Sequence, residues 1–519
     1  MPALAGPLEG YWVGIFDVAT GPQFVHTQFA EKDKVLSGKL DMPANSKKGL
    51  PLTGVSEQQG WVQFDLAGPD GVLHFDGQLH ANTVSGMVSV GGKEGTFTLQ
   101  RSEATSPQQD ERFLGAYRFP DQRIIVLSHL GDFPQLFYTD VKTGRYAAMF
   151  PAGDNKFFSG AGFLNPSVRE TTMRFELDAM GNATRMVWQA QGQATQTAER
   201  IALRSEEVTF KNGDVELSGT VVLPVAKGPH AAVVLTQMSS PAPRSAYALQ
   251  AYYFAAHGIA ALMFDKRGVG KSSGDWQKAT MQDLADDSVA GLRMLAARSD
   301  IKPQQIGTWG HSQGGWLAPL AAVRSKQAAF VIAQAASGVT PAEQEIFRIE
   351  NTMRADKFSD AEIAEAVAYE KLLMHWVVSG GEGRAELLAA ARAGDKARWA
   401  DRVELVPDTM RAKPREETTA FYRYDPLPDL AKLKVPVVYI LGDRDSFVPT
   451  VKSAQLFERK LKDAGHKDYQ IWMLPNSEHG LWEIPDDKAS AFINARFWSK
   501  SHYPRMTQWL QQRGFATSP

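Results

Sequence analysis

The chain has 519 residues, a net charge of −2 and 43% hydrophobic content, which describes an ordinary globular protein too long for a single core. Length suggests about three domains, the lack of a dense Lys/Arg block argues against a nucleic-acid or anionic-membrane partner, and no apolar run reaches the roughly 18–20 residues of a membrane span. With no cysteine in the chain, disulfides, thiolate metal sites and a cysteine nucleophile are excluded.

The opening Met1-Pro2-Ala3-Leu4-Ala5-Gly6-Pro7 has neither a basic nor an apolar targeting region. Two compartments stay open: the cytoplasm, or export with the leader absent from this chain. From about residue 8, short apolar or aromatic strands alternate with Gly, Pro, Asn and Asp turns, as in Trp61-Val62-Gln63-Phe64-Asp65-Leu66. Regular spacing without helical periods predicts an antiparallel barrel or sandwich over residues 1–101. A second run over 113–203 has the same texture, including Ile124-Ile125-Val126-Leu127 and Met173-Arg174-Phe175-Glu176-Leu177. Both runs open on a Gly/aromatic strand and close on an arginine, Arg101 or Arg200, which hints at two related β modules. The polar stretch from Ser102 to Arg112 reads as the linker between them.

At about residue 204 the texture changes. A hairpin through Asn212-Gly213 is followed by wholly apolar strands: Ala231 to Leu235, Ile259 to Phe264, Ile306 to Trp309, Phe330 to Ala333, Val437 to Leu441 and Tyr469 to Met473. Continuous apolar strands separated by helices predict a mostly parallel sheet covered by helices on both faces, here over 204–519. Between about 338 and 430 the alternation stops. Pro341 to Met353, Asp360 to Val378 and Arg384 to Val403 have helical periods, an insert expected to lie over the strand C-termini as a lid. Its aromatics Trp376, Trp399, Phe421 and Tyr422 suit an apolar pocket, although at helical spacing aromatics are more often core.

The stretch Gln305-Ile306-Gly307-Thr308-Trp309-Gly310-His311-Ser312-Gln313-Gly314-Gly315 reads as a strand, a sharp turn carrying one serine, and a helix. Gly310 to Gly314 spell G-x-S-x-G, the nucleophile elbow of α/β-hydrolases, in which the strained turn leaves no room for side chains two residues either side of the serine. Gly270-Lys271-Ser272-Ser273-Gly274 matches the same pattern, but the polar Asp275-Trp276-Gln277-Lys278 follows it instead of a helix, so Ser312 is the candidate nucleophile.

A serine hydroxyl needs a base to take its proton, and the base needs an orienting carboxylate. The chain order in this fold is Ser, then Asp or Glu, then His. Asp443 and Asp445 compete in Gly442-Asp443-Arg444-Asp445-Ser446-Phe447-Val448-Pro449; Asp445 is chosen because Asp443 still belongs to the tight turn leaving the strand. The base is His479, in a loop after the last strand, whereas His466 precedes that strand. Two backbone amides should stabilise the oxyanion: that of Gln313, after the nucleophile, and one from the loop Thr236 to Pro241. Gly268-Val269-Gly270 and Gly270-Lys271-Ser272 fail as nucleotide-binding motifs, and no H-E-x-x-H spacing appears, so neither metal nor cofactor is implied.

On these residues the chain resembles bacterial two-part serine hydrolases, carboxylesterase-like members of the α/β-hydrolase superfamily near the prolyl-oligopeptidase-type peptidases. The likeness rests on Phe264-Asp265-Lys266-Arg267-Gly268-Val269-Gly270-Lys271-Ser272-Ser273-Gly274, on Gly310 to Gly315, on Gly442 to Pro449 and on Asn476 to Gly480, and covers most of 204–519. Residues from about 8 to 101 also resemble the small β domain that often precedes such hydrolases. One departure matters: where these enzymes usually carry His-Gly-Ser-Gly-Pro, this chain reads Gln237-Met238-Ser239-Ser240-Pro241, with Arg244 following as in the family. By that alignment Ser239 gives the second oxyanion amide, and Met238 forms part of the acyl-pocket wall.

The resulting expectation is hydrolysis of a small-molecule carboxylic ester through an acyl-enzyme, by Ser312, His479 and Asp445. A peptidase or thioesterase using the same three residues is the nearest alternative. An alternative of another class is an inactive hydrolase whose β modules bind a glycan or lipid. The sequence leaves a homo-oligomer open.

Overall fold

The computed structural model describes residues 8–18, 21–104, 106–130, 133–484 and 492–517. It divides into two compact units, Met1–Ile201 with Pro485–Tyr503 and Ala202–Ile484 with Pro504–Pro519.

The first unit holds two closed antiparallel barrels of eight strands each. In the strand Trp61–Gly68, Val62, Phe64 and Leu66 point inward and are buried while Trp61 and Gln63 face solvent, the period of two expected of a half-buried strand. The first barrel closes because Gly10–Asp17 pairs with both Pro22–Lys32 and Lys93–Ser102. An eight-stranded barrel is just wide enough for its own side chains to fill it. Here Phe64 stacks on Phe75 at 4.5 Å between ring centroids, and Phe97 meets Phe75 edge-on at 5.2 Å.

The second barrel closes in the same manner, with Gly115–Arg118 pairing with Ile124–His129 and Gln196–Arg200 around a core that includes Phe113, Tyr117, Phe175 and Trp188. The lock at the closing strand recurs. Trp12 Nε1 donates to Leu8 O at 2.9 Å and Tyr117 OH to Phe113 O at 2.8 Å, each four residues upstream. Arg101 donates to Glu9 O and Arg200 to Leu114 O, both at 2.6 Å. Gly10 and Gly115, at φ 129° and 130°, leave space for those guanidinium groups; a Cβ on Gly10 would lie 3.0 Å from Arg101.

Two expectations need correction. The stretch from 102 to 112 is more than a polar linker. Ser106 caps a short helix, Pro107–Asp110, in a capping box with Gln109, and Asp110 is buried. The first unit also includes a segment far away in sequence. Phe163 N donates to Ala495 O at 2.8 Å, Trp498 N to Gly144 O at 2.8 Å, and Arg496 pairs with Glu170. This return strap has no local signature.

In the second unit Leu203–Asn212 (β1), Val215–Pro224 (β2), His230–Thr236 (β3), Ile259–Phe264 (β4), Ile301–His311 (β5), Ala328–Gln334 (β6), Val437–Gly442 (β7) and Tyr469–Leu474 (β8) form one sheet. Their order is β1-β2-β4-β3-β5-β6-β7-β8, antiparallel at the first two pairings and parallel at the other five. Every residue of β4 and β7 is buried, as continuous apolar runs require. The order reverses around β3, so the C-terminal ends of β3 and β5 border the crevice where sheets of this kind bind ligands. Ala248–Ala256 (α1), Met281–Ala296 (α2) and Gln313–Arg324 (α3) are the helices nearest that crevice in sequence.

Between β6 and β7 come Pro341–Ala355 (α4), Asp360–Ser379 (α5), Arg384–Gly394 (α6) and Glu416–Tyr422 (α7). Thr340 and Ser359 cap α4 and α5, the latter in a capping box with Glu362. The third period read from sequence ran to Val403, but α6 stops at Gly394. The Trp399 ring folds back onto that glycine, where a Cβ would lie 2.4 Å from it. Trp376 and Trp399 are buried in the insert's own core, with Tyr422 packed against it, so these aromatics build the insert itself.

Truncating a ring of the first barrel's aromatic stack removes a fully enclosed side chain. Phe64→Ala is expected to cost about 3–5 kcal/mol, read as a lowered denaturation midpoint.

Candidate active site

Strand β5 ends at His311 and α3 begins at Gln313, so Ser312 is the single residue between them, at φ 57° and ψ −119°. A residue other than glycine in such a region costs on the order of 1–3 kcal/mol, and the surroundings must impose it. They do so sterically. A Cβ on Gly310 would lie 2.0 Å from Gly314 O and 2.2 Å from Thr236 Oγ1; one on Gly314 would lie 2.8 Å from Thr236 O. The Thr236 hydroxyl sits between the two backbones, 2.9 Å from Trp309 O and 3.0 Å from Gly314 O. Ser312 N donates to Gln334 O of β6 at 2.9 Å, which holds the turn on its other side.

Three side chains far apart in sequence meet here. His479, in the loop after β8, places Nε2 3.0 Å from Ser312 Oγ and Nδ1 2.8 Å from Asp445 Oδ2. The Asp445 side chain is fully shielded from solvent, and its other oxygen accepts the amides of Phe447 and Val448, each at 2.8 Å. Those two bonds orient the carboxylate. A base within hydrogen-bond reach of a hydroxyl, itself oriented by a carboxylate, is the arrangement that makes serine a nucleophile.

The rivals are engaged elsewhere. The Ser272 hydroxyl donates to Asp265 O at 2.7 Å and accepts from Ser218 N at 3.0 Å, stitching its loop to β2. His466 Nε2 lies 3.0 Å from Val435 O, before β7. Asp443 takes the Ser477 amide at 3.3 Å, whereas Asp445 reaches His479.

Several neighbours carry no sequence signal of their own. His311 Nε2 donates to His479 O at 2.9 Å, which fixes the backbone of the loop that carries the candidate base. Burial and the nearby His479 pull His311 down to about 4, so its ring is neutral at ordinary pH and keeps the N–H this bond needs. Phe447, 38% exposed, lies with its ring 5.1 Å from that of His479 and gives the site an apolar rim. The Met238 amide donates to Tyr247 OH at 2.8 Å, so in the loop after β3 it is the exposed Ser239 that follows an already occupied amide.

Lys266, wholly buried, directs Nζ at Met238 O (2.7 Å), Gln313 Oε1 (3.0 Å) and Ser240 O (3.4 Å). Its neighbours in the motif are paired: Asp265 with Arg244, and Arg267 with Asp287 through two bonds of 2.6 and 2.7 Å. Among the described residues no group of three or more His, Asp or Glu is placed to hold a metal ion, and no helix is long and apolar enough to cross a membrane.

Residues 243–485 match the family model described as serine aminopeptidase, S33. The unit built on β1–β8 has the α/β-hydrolase fold. Short stretches are similar to acylamino-acid-releasing enzymes: 32% identity over 82 residues with enzyme 2 of Oryza sativa subsp. japonica, and 29% over 83 residues with that of Arabidopsis thaliana. Each stretch is 16% of this chain, and the chain spans only about a tenth of the length of these relatives. Among solved structures, the Pyrococcus furiosus esterase Pf2001 is similar at 16% identity, covering 60% of this chain and 94% of that one with a TM-score of 0.38. The complex of DcsB with its substrate analogue is similar at 15% identity, covering 60% and 99%, with a TM-score of 0.39.

Two outcomes test this geometry. Gly310→Ala forces a methyl into backbone and is expected to destabilise by about 1–3 kcal/mol or more, measured by urea unfolding. Burial lowers Lys266 from 10.5 to about 7, with Asp287 opposing, so between those values the unfolded chain holds a proton that the folded chain lacks. Stability from this group therefore rises as pH goes from about 7 towards 10. The gain in urea midpoint over that interval should be smaller in Lys266→Met than in the unaltered protein.

Proposed function

We propose that the chain is a serine esterase acting on small-molecule carboxylic esters through an acyl-enzyme. The observation that carries this reading is the 3.0 Å contact of Ser312 Oγ with His479 Nε2, backed by the 2.8 Å contact of His479 Nδ1 with Asp445. Ser312 Oγ attacks the ester carbonyl carbon as its proton passes to His479 Nε2. The amides of Gln313 and Ser239 hold the oxyanion, and Asp445 stabilises the imidazolium. The intermediate collapses by breaking the bond to the alkoxy oxygen, which leaves with the proton from His479. Water, deprotonated by His479, then releases the acid and restores Ser312. Neither a metal nor a cofactor has a part in this scheme.

The helical insert of about 338–430 is read as a lid. A cleft of about 590 Å³ between α4 and the loop that carries Asp445, lined by Phe347, Asn351, Ser446 and Val451 among others, supports that role. Phe447 beside His479, with Met238 on the opposite loop, suits an apolar acyl or alkoxy group.

One observation favours a second reading: the matching family model is described as an aminopeptidase, and the similar plant proteins are acylamino-acid-releasing enzymes. Amide cleavage would use the same acyl-enzyme, so the three residues serve either substrate.

Ser312→Ala is expected to fold normally and to lower turnover of p-nitrophenyl esters by about 10³–10⁶-fold. Esterase activity retained in that variant would sink the assignment. A chain-length series of p-nitrophenyl acyl esters set against aminoacyl- and acylaminoacyl-anilides decides between ester and amide, and higher kcat/KM on the anilides would favour the peptidase.

A further inference from the structure

The lysine of the Asp265-Lys266-Arg267-Gly268 run has no part in the acyl-transfer scheme, yet it is the charged group most deeply placed beside it. It lies two residues beyond the end of β4 and is wholly buried. Its three acceptors, Met238 O, Gln313 Oε1 and Ser240 O, are all neutral oxygens, and its ammonium lies 4.5 Å from the centre of the Trp276 ring. Burying an ammonium without a hydrogen-bonded carboxylate is costly, and a methionine could fill the same volume at less cost. Retention of the charge therefore points to what it touches.

What it touches are the backbone of one residue pair and the side chain of the other residue that would make the oxyanion hole. Met238 O belongs to the same peptide group as Ser239 N–H. In a trans peptide these point in opposite directions, so a carbonyl held towards Lys266 turns the amide away from it, towards the exposed side of the loop. A cation on the carbonyl also polarises the group and strengthens the N–H as a donor. On the other side, Gln313 Oε1 accepts from the same ammonium and Gln313 Nε2 approaches Met281 Sδ at 3.8 Å, which pins the side chain of the residue after Ser312. The loop has no glycine between Thr236 and Pro241, and it is tied at two further points: Gln237 Nε2 donates to Phe264 O at 2.7 Å, and Met238 N to Tyr247 OH at 2.8 Å.

We propose that Lys266 is a positioning residue that sets the Met238–Ser239 peptide plane and ties it to Gln313, so that both oxyanion amides face one point. This rests on the acyl-transfer reading given above.

The test is Lys266→Met in the full chain, with four readouts. We expect a thermal midpoint equal to or above that of the unaltered protein and a KM for p-nitrophenyl acetate within about threefold. We expect kcat to fall by about 10²-fold, the typical loss on removing one oxyanion donor. Affinity for an alkyl trifluoromethyl ketone, which builds an oxyanion on the serine, should fall by a similar factor. Unchanged kcat in the folded variant overturns the proposal, and so does a fall in kcat without weaker ketone binding. If Lys266→Met does not fold, Lys266→Gln, which keeps one amide donor, is measured in the same way, with about tenfold losses expected. Ser312→Ala run in parallel separates the two claims. Activity surviving in Ser312→Ala would sink the esterase reading itself, whereas an inactive Ser312→Ala beside a fully active Lys266→Met would sink only the lysine.

Discussion

The unit built on β1–β8 depends on how closely β5 and α3 approach each other. Strand and helix pass with the backbone of Gly314 where a side chain of Gly310 would be, and with Thr236 wedged against both. That contact sets the position of Ser312 and its left-handed backbone. A strained conformation survives only if its neighbours cannot relax, and here they cannot: Gly310 is in register with Thr236 of β3 on one side and Ala333 of β6 on the other, inside buried parallel strands. The hydroxyl's position thus follows from packing between backbones, before any polar contact is made.

Around it the polar groups divide the work of positioning. Asp445 accepts two amides on one oxygen and faces the imidazole with the other, so both oxygens are engaged. His311 is instead a donor, to the carbonyl of His479. One residue orients the ring of the candidate base and the other its backbone. The Asp265-Lys266-Arg267 run also divides within three residues. The aspartate and arginine each bind an opposite charge, while the lysine between them turns inward to neutral oxygens.

What was legible in the sequence is what local chemistry imposes. Small residues either side of one serine, continuous apolar strands and the capping residues of the insert helices are each written within a few positions. The three site side chains could be named because the fold prescribes their order along the chain, even though Ser312 and His479 lie 167 residues apart. Features made by distant pairing were not legible. Whether the first module is a barrel or a sandwich depends on Gly10–Asp17 finding Lys93–Ser102, and alternation reads the same in both. The third insert helix ends at Gly394, against which Trp399 folds back, and a helical period cannot show that. Lys266 stands within the Phe264 to Gly274 motif, where nothing local sets it apart from Asp265 and Arg267; its three neutral acceptors, brought there by the fold, distinguish it.

The strap of residues 492–503 on the second barrel has a consequence for how the protein is made. A ribosome releases the N-terminus first, so both barrels emerge long before the hydrolase sheet. Yet the partners of Gly144, Phe163 and Glu170 lie in Trp498, Ala495 and Arg496, which leave the tunnel after nearly everything else. The unit begun first is therefore completed only after residues 202–484 of the other have been made. Until then, the barrel surface that the strap will cover stays open to solvent or to a chaperone.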